Sequence, residues 1–269
     1  VMSIHTTGIL IDLDGTLYHG KRRIPGADQF VSRLRERQLP FLFVTNNSSR
    51  TPEQVADHLK EMGIDAAADE VCTSSLAAAS YISRELPGAK VAILGEEGLH
   101  AAIEQAGLQV TEDQPDYCVQ GIYRSLSYDS LARAVQWIHG GAVSVLTNPD
   151  LLLPSDDGLS PGAGSLGAAI EAASGVKPIV IGKPSSILMN YAADRLGISP
   201  RQAVVVGDNM RTDIAAGAQA GCKTILVMTG ITTPYNIEEH RTSAGVSPDY
   251  ICETLSQAAD LLCSGELFT

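Results

Sequence analysis

Four aspartates and one lysine in this sequence stand where they could do chemistry. Asp12 and Asp14 lie in the run Asp12-Leu13-Asp14-Gly15-Thr16, and Lys183 in Gly182-Lys183-Pro184-Ser185. Asp208 follows Gly207 and precedes Asn209, with Asp213 five residues after it. Asp12 and Asp208 offer carboxylate oxygens from separate segments, and the backbone carbonyl of Asp14 is a candidate third oxygen. Such a set suits Mg²⁺, which takes one or two carboxylates and completes its octahedron with waters and phosphate oxygens. No His or Cys clusters with these aspartates, so Zn²⁺ suits less well. With a cation offsetting charge, Asp12 could attack phosphorus and form an aspartyl-phosphate. Asp14, aimed by a turn at Gly15, could protonate the leaving alcohol and later activate water. Thr45 and the amide of Asn46, in Thr45-Asn46-Asn47, could hydrogen-bond phosphoryl oxygens, while Lys183 could stabilise both the nucleophile and the transferring group.

Each motif also has a plainer reading. The Asp12–Thr16 run could be a turn whose acids accept loop amides, and Thr45-Asn46-Asn47 a turn or cap. Gly182–Ser185 could start a helix with a solvated lysine, and Gly207-Asp208-Asn209 could be a turn with a helix cap. Their conjunction favours chemistry, because each follows an apolar run of the kind that forms a buried strand.

Those runs predict the elements that must hold the residues. Ile9 to Leu13, Phe41 to Thr45, Ile179 to Ile181, Ala203 to Val206, Thr224 to Met228 and Tyr250-Ile251 read as strands. So do Val91 to Leu94, Tyr117 to Ile122 and Val143 to Leu146 in the middle of the chain. Helical spacing is expected around Ala27–Leu34, Pro52–Met62, Ser75–Arg84, Leu99–Ala106, Leu131–Ile138, Gly164–Ala173, Ile187–Ala192, Ile214–Ala220 and Leu255–Leu262. A long loop with two adjacent aspartates is expected from Asn148 to Ser160. Strand–helix alternation of this length argues for an α/β architecture with a parallel sheet, in which ligands bind beyond the carboxyl ends of the strands.

Composition excludes several classes. The 269 residues carry a formal net charge of −12, which repels nucleic acid and anionic lipid. No apolar run approaches the length of a membrane span. Five cysteines without a CxxC pair read as reduced thiols rather than a disulfide framework. Val1 to Gly8 lack a basic-then-apolar signal pattern, so a cytoplasmic location is expected. The six histidines (His5, His19, His58, His100, His139 and His240) are scattered; His19, near the first motif, reads as a solvated loop residue.

Taken together, Asp12–Thr16, Thr45-Asn46-Asn47, Lys183 and Gly207–Asp213 resemble the signatures of the haloacid-dehalogenase superfamily. Within it they resemble the phosphatases similar to NagD and the p-nitrophenyl phosphatases. The resemblance implies a Rossmann-like parallel-sheet core, Asp12 as nucleophile, Asp14 as general acid/base, and Mg²⁺ held by Asp12, the Asp14 carbonyl and Asp208. Thr45, Asn46, Asn47 and Lys183 would bind the phosphoryl group. Asn209 and Asp213 would lie behind the ligands and orient them or Lys183. It also implies a small phosphorylated metabolite as substrate, such as a sugar phosphate or nucleoside monophosphate, and a homodimer.

Spacing locates an insertion. Only 24 residues lie between Thr16 and Phe41, room for one crossover helix, whereas 135 lie between Asn47 and Lys183. A second α/β domain is therefore expected at residues 81–178, with residues 1–80 and 179–269 forming the core. This matches the cap of the NagD-like group, which would select the leaving group. Asn148 and Asp150, in Thr147-Asn148-Pro149-Asp150, and the Gly162–Ser165 run are the candidates for contacting it, although both also read as loop and helix-start chemistry. Asp14 argues against a dehalogenase, whose leaving halide needs no proton, and the short first crossover argues against a phosphomutase with its cap there. The reading from another class is a non-catalytic phosphometabolite-binding protein on the same fold.

Overall fold

The structure, a computed structural model, describes residues 8–155, 158–265 and 267. His5, the rest of the segment ahead of Gly8, and the adjacent Asp156 and Asp157 lie outside the described residues. The chain begins with β1 (Gly8–Ile11), a small hairpin of β2 (Tyr18–His19) and β3 (Arg22–Arg23), α1 (Ala27–Glu36), β4 (Phe41–Thr45), α2 (Pro52–Glu61) and β5 (Val71–Thr73). It continues through α3 (Ser74–Glu85), β6 (Lys90–Leu94), α4 (Glu97–Gln105), β7 (Gln109–Val110), β8 (Tyr117–Gln120), α5 (Tyr128–His139), β9 (Val143–Leu146), β10 (Leu152–Ser155), β11 (Gly158–Pro161), α6 (Ala163–Ser174) and β12 (Ile179–Val180). The last third holds α7 (Ile187–Arg195), β13 (Ala203–Gly207), a π-helical turn at Met210–Ile214, α8 (Ala215–Ala220), β14 (Lys223–Val227), α9 (Ile237–Ala244), β15 (Tyr250–Cys252) and α10 (Leu255–Ser264).

The fold is α/β, and the chain divides into two compact units. The first comprises Val1–Thr45, Glu53–Cys72 and Lys183–Thr269; the second comprises Asn46–Pro52 and Thr73–Gly182. The six-stranded sheet runs β15-β14-β13-β1-β4-β5. Pairings from β15 through β4 are parallel, with Ile9 opposite both Val204 and Phe41. Strands β1, β4 and β13 are buried along their whole lengths, which explains why they lack polar alternation. From β1 the strand order proceeds one way to β4 and β5, and the other way to β13, β14 and β15. The switch therefore falls between β1 and β13, where an open parallel sheet forms its binding crevice. Asp12 and Asp208 are the residues that follow these two strands.

The inserted unit has its own five-stranded parallel sheet, ordered β12-β9-β8-β6-β7. Leu94, Cys118, Ala134, Ile138 and Ile170 are buried together in one of its core clusters. Two expectations change here. Ile179–Val180 pairs with Val145–Leu146 in this second sheet, so Lys183 does not follow a strand of the larger sheet. A two-residue apolar strand carries no sequence mark of which sheet it will join. The expected loop from Asn148 to Ser160 contains an antiparallel hairpin, β10 with β11.

The unit boundaries also differ from the expected division at residues 81 and 178. Helix α3 stays whole, and Asn46–Pro52 joins the inserted unit through hydrogen bonds. Ser74 Oγ donates to Asn46 O (2.8 Å), Ser75 Oγ to Ser48 O (2.9 Å), Ile122 N–H to Ser48 Oγ (3.0 Å), and Gly98 N–H to Ser49 O (3.0 Å). Tertiary bonds of this kind leave no periodicity to read.

Phe43, fully buried in β4 two residues before Thr45, is the element most exposed to test. Phe43→Ala should cost about 3–5 kcal/mol, read as a lower urea midpoint at unchanged slope. A loss below about 1 kcal/mol would contradict its place in the core.

Candidate active site

Asp12 leaves β1 with its N–H bonded to Val206 O on β13 (2.9 Å), so the main chain at this residue is still part of the sheet. Its carboxylate is buried and held from two sides. Lys183 Nζ donates to Oδ1, and Thr16 Oγ1 to Oδ2 at 3.1 Å. Lys183, itself only 3% exposed, also donates to Asp213 Oδ1 at 2.8 Å and lies 3.4 Å from Val44 O. Burial works against its ammonium, but Asp12 and Asp213 outweigh it and hold the lysine charged above the usual range.

Asp208 lies behind Gly15 and beside the segment after β14. Its Oδ1 accepts from Thr16 Oγ1 (3.2 Å) and its Oδ2 from the Ile231 N–H (2.6 Å). Gly15, at φ 89°, sits so close that a Cβ there would lie 2.4 Å from Asp208 Oδ2; the position needs glycine both for its backbone and for that approach. Asp213 sits in the π-helical turn, where its Oδ2 accepts the Asn209 N–H at 3.0 Å. Asn209 caps the same turn by accepting from Arg211 N–H at 3.0 Å.

Asp12, Asp208 and Asp213 thus bring carboxylate oxygens within 4.8 Å of one another in a buried space. Burial raises the Asp208 carboxyl well above the ordinary range, and the charges of Asp213 and Asp12 add to the effect. Asp213 is raised by burial and by Asp12, with Lys183 and the Asn209 amide opposing. Three buried carboxylates meet one buried ammonium, an imbalance that a hard divalent cation fits. The donor set allocates itself. Asp213 is committed to Lys183 and Asn209, whereas Asp208 Oδ1 is shared with a hydroxyl whose single proton also serves Asp12.

Asp14 is exposed, yet partial desolvation raises its carboxyl, against the opposing effects of His19, the Gly20 amide, His58 and Lys183. The β2–β3 hairpin is pinned next to it: His58 Nε2 bonds Gly20 O (3.0 Å), and the His58 ring meets Tyr18 edge-on at 5.2 Å. His19 is exposed as expected, but its Nε2 also bonds Thr229 O at 2.8 Å. Thr45 is buried at the end of β4.

The remaining candidates gather in the inserted unit. Asp150 Oδ2 accepts from Asn46 Nδ2 (3.1 Å) and Asn148 Nδ2 (2.7 Å), and Thr147 Oγ1 donates to Asn148 Oδ1 (2.8 Å). Asn47 Oδ1 accepts from the N–H groups of Ser49 (3.1 Å) and Arg50 (3.0 Å), closing a turn. Thr16 and the Ile231 amide join the cluster without a role expected for them from the sequence. Thr16 had a signal, as a polar residue held between Gly15 and the apolar Leu17 in the same motif; a backbone amide has none.

Comparison with known proteins identifies the family. A haloacid dehalogenase-like hydrolase model matches residues 9–109, and a HAD-hydrolase-like model matches residues 180–258. The 5′-nucleotidase YutF of Bacillus subtilis (strain 168) is 44% identical over 250 residues, covering 93% of this chain and 96% of that protein. An acid sugar phosphatase of Staphylococcus aureus (strain USA300) is 43% identical over 250 residues, 93% of this chain and 95% of its own length. The solved structure of a p-nitrophenyl phosphatase from Archaeoglobus fulgidus superposes with a TM-score of 0.89 at 35% identity, over 95% of this chain and 99% of that one. The chain belongs to the haloacid dehalogenase-like hydrolases, among the phosphatases similar to NagD and the p-nitrophenyl phosphatases.

Proposed function

We propose that this phosphatase hydrolyses small phosphomonoesters, of the sugar-phosphate or nucleoside-monophosphate class, through an aspartyl-phosphate on Asp12 with Mg²⁺ as cofactor. The observation that carries the reading is the state of the Asp12 carboxylate, buried and held between Lys183 and Thr16 beside the buried carboxyl of Asp208. The relatives' names support the substrate class, one being a 5′-nucleotidase and another an acid sugar phosphatase.

Asp12, the Asp14 carbonyl and Asp208 would hold Mg²⁺, with Asn209 and Asp213 orienting from behind. When bound, Mg²⁺ supplies charge neutralisation that lets a carboxylate approach a phosphate. Asp12 then attacks phosphorus. The ester P–O bond breaks, and the departing alkoxide takes the proton of the Asp14 carboxyl, whose raised pKa favours carrying one. Asp14, now a carboxylate, removes a proton from water. The water oxygen attacks phosphorus, the acyl oxygen–phosphorus bond to Asp12 breaks, and inorganic phosphate leaves. Lys183 keeps the Asp12 carboxylate in place and, with Thr45 and the amides of Asn46 and Asn47, offsets charge on the phosphoryl oxygens.

We assign leaving-group selection to the inserted unit. The bond of Asn148 to Asp150, and that of Asp150 to Asn46, support a role in shaping the segment after Thr45. Free thiols at all five cysteines support a reducing, cytoplasmic setting. Among the described residues no helix is long and apolar enough to cross a membrane.

Three outcomes are expected. The protein should hydrolyse p-nitrophenyl phosphate with Mg²⁺ and lose that turnover in excess EDTA; equal, negligible rates in both would favour the non-catalytic binding protein. Asp12→Asn should keep its circular dichroism but lose turnover by about 10³-fold or more, with no ³²P-labelled protein trapped by acid quench; trapped label would move the nucleophile elsewhere. Without a cation, the folded state holds protons on Asp208 and Asp213 that the unfolded chain, titrating near 3.8, releases. Stability conferred by this cluster should therefore fall as pH rises above that value. Since a cation binds the ionised carboxylates, the Mg²⁺-induced rise in Tm should be larger at about pH 8 than at about pH 5.5. A larger rise at the acid pH would refute the cluster as the binding site.

A further inference from the structure

The segment that follows β14, Thr229-Gly230-Ile231-Thr232, takes no part in the chemistry above, yet it surrounds Asp208. The Ile231 N–H donates to Asp208 Oδ2 (2.6 Å) and the Thr232 N–H to Asp208 O (3.1 Å). Thr232, fully buried, accepts the Met210 N–H on its Oγ1 (3.1 Å), and the same oxygen lies 3.3 Å from Nδ1 of His240 on α9. Thr229 Oγ1 donates to Gly15 O (2.8 Å), and Asn236 Nδ2 holds Ile231 O (3.0 Å). Between them, a Cβ on Gly230 would fall 2.0 Å from Asp208 Oδ2 and 2.7 Å from Gly15 O. Gly230 has no left-handed backbone to explain it, so its lack of a side chain serves this close approach. The Asp208 carboxylate is thus packed between the backbones of Gly15 and Gly230, with one oxygen committed to an amide.

Resting on the reading of Asp208 as a metal ligand, we infer that Thr229–Thr232 is a positioning strap that makes Asp208 a one-oxygen ligand and so selects a small octahedral cation. Oδ2, held by the Ile231 amide, is withdrawn from coordination, and Oδ1 remains. Mg²⁺ is satisfied by single carboxylate oxygens in rigid geometry. Ca²⁺ takes more oxygens and accepts bidentate carboxylates, which the strap denies it. Gly230 and Thr229 are positioning residues: they act on the cation through Asp208 and Gly15.

Isothermal titration of the full chain with Mg²⁺ and, separately, Ca²⁺, in the absence of substrate, tests this. Gly230→Ala, which pushes the strap off Asp208, should weaken Mg²⁺ binding by about tenfold or more, the scale for lost outer partners of a metal ligand, and weaken Ca²⁺ less, lowering the Mg²⁺/Ca²⁺ preference. Thr229→Val, which keeps the shape but drops the bond to Gly15 O, should move the preference the same way by a smaller factor, and Thr229→Ser should restore it. Should Gly230→Ala fail to fold, the Thr229 pair decides the matter. Unchanged affinities, or equal losses for both cations, would overturn the strap. Asp208→Asn separates the two levels: if it binds Mg²⁺ as the parent does, the metal-ligand reading itself fails, whereas loss in Asp208→Asn with unaltered strap variants overturns the strap alone.

Discussion

Repulsion among Asp12, Asp208 and Asp213 is the constraint around which the rest of this molecule is arranged. Ionised carboxylates this close in a buried space oppose folding, and a protein keeps them only if something else holds the charge. Lys183 holds part of it by bridging Asp12 and Asp213. The amides of Asn209 and Ile231 and the Thr16 hydroxyl hold more, each aimed at a particular oxygen. What remains is negative charge, and for the divalent cation proposed above the cost of leaving that charge bare and the affinity for the cation are one property.

Keeping such a cluster in shape requires rigid support. The main chain of Asp12 is still bonded into β13, and Asp208 follows a strand buried from Ala203 to Gly207. Both strands lie at the reversal of strand order, where neighbouring connections part and leave the carboxyl ends open. The acids therefore inherit their positions from the sheet hydrogen bonds, while loops supply the amides that fix each oxygen. Asp14 differs: it leaves the sheet, reaches solvent, and lies near a hairpin pinned by His58, an exposure that suits the acid/base role proposed for it.

What could be read from the sequence follows the same division. Asp12, Asp208 and their strands were legible because an ionisable group directly behind a fully apolar run adds nothing to packing and is costly to bury without a partner. Lys183 was legible from its motif, although its strand turned out to belong to the second sheet, since two apolar residues do not announce a partner. The hairpin at 152–161 was hidden in a stretch that reads as loop, and the β2–β3 hairpin is too short for any period. Thr16 reaches Asp208, and Gly230 approaches Gly15, between segments about 200 residues apart in the chain, while the Ile231 amide reaches Asp208 from 23 residues away; nothing local encodes any of the three. Asn148 and Asp150 were marked by residue type; the bond of Asp150 to Asn46, and that of Asn148 to Asp150, come from folding, not from spacing.

The seven residues Asn46–Pro52 have a consequence for how the molecule could be taken apart. They follow Thr45 directly, yet their hydrogen bonds run to Ser74, Ser75, Gly98 and Ile122 in the inserted unit. The insertion is therefore not a cassette with two ends. A chimera joined at residues 73 and 182 would carry the foreign insert but strand this segment among partners it no longer recognises, at the very exit of the strand that presents Thr45. Recombination within this fold has to exchange two pieces of chain together, and the smaller one is seven residues long.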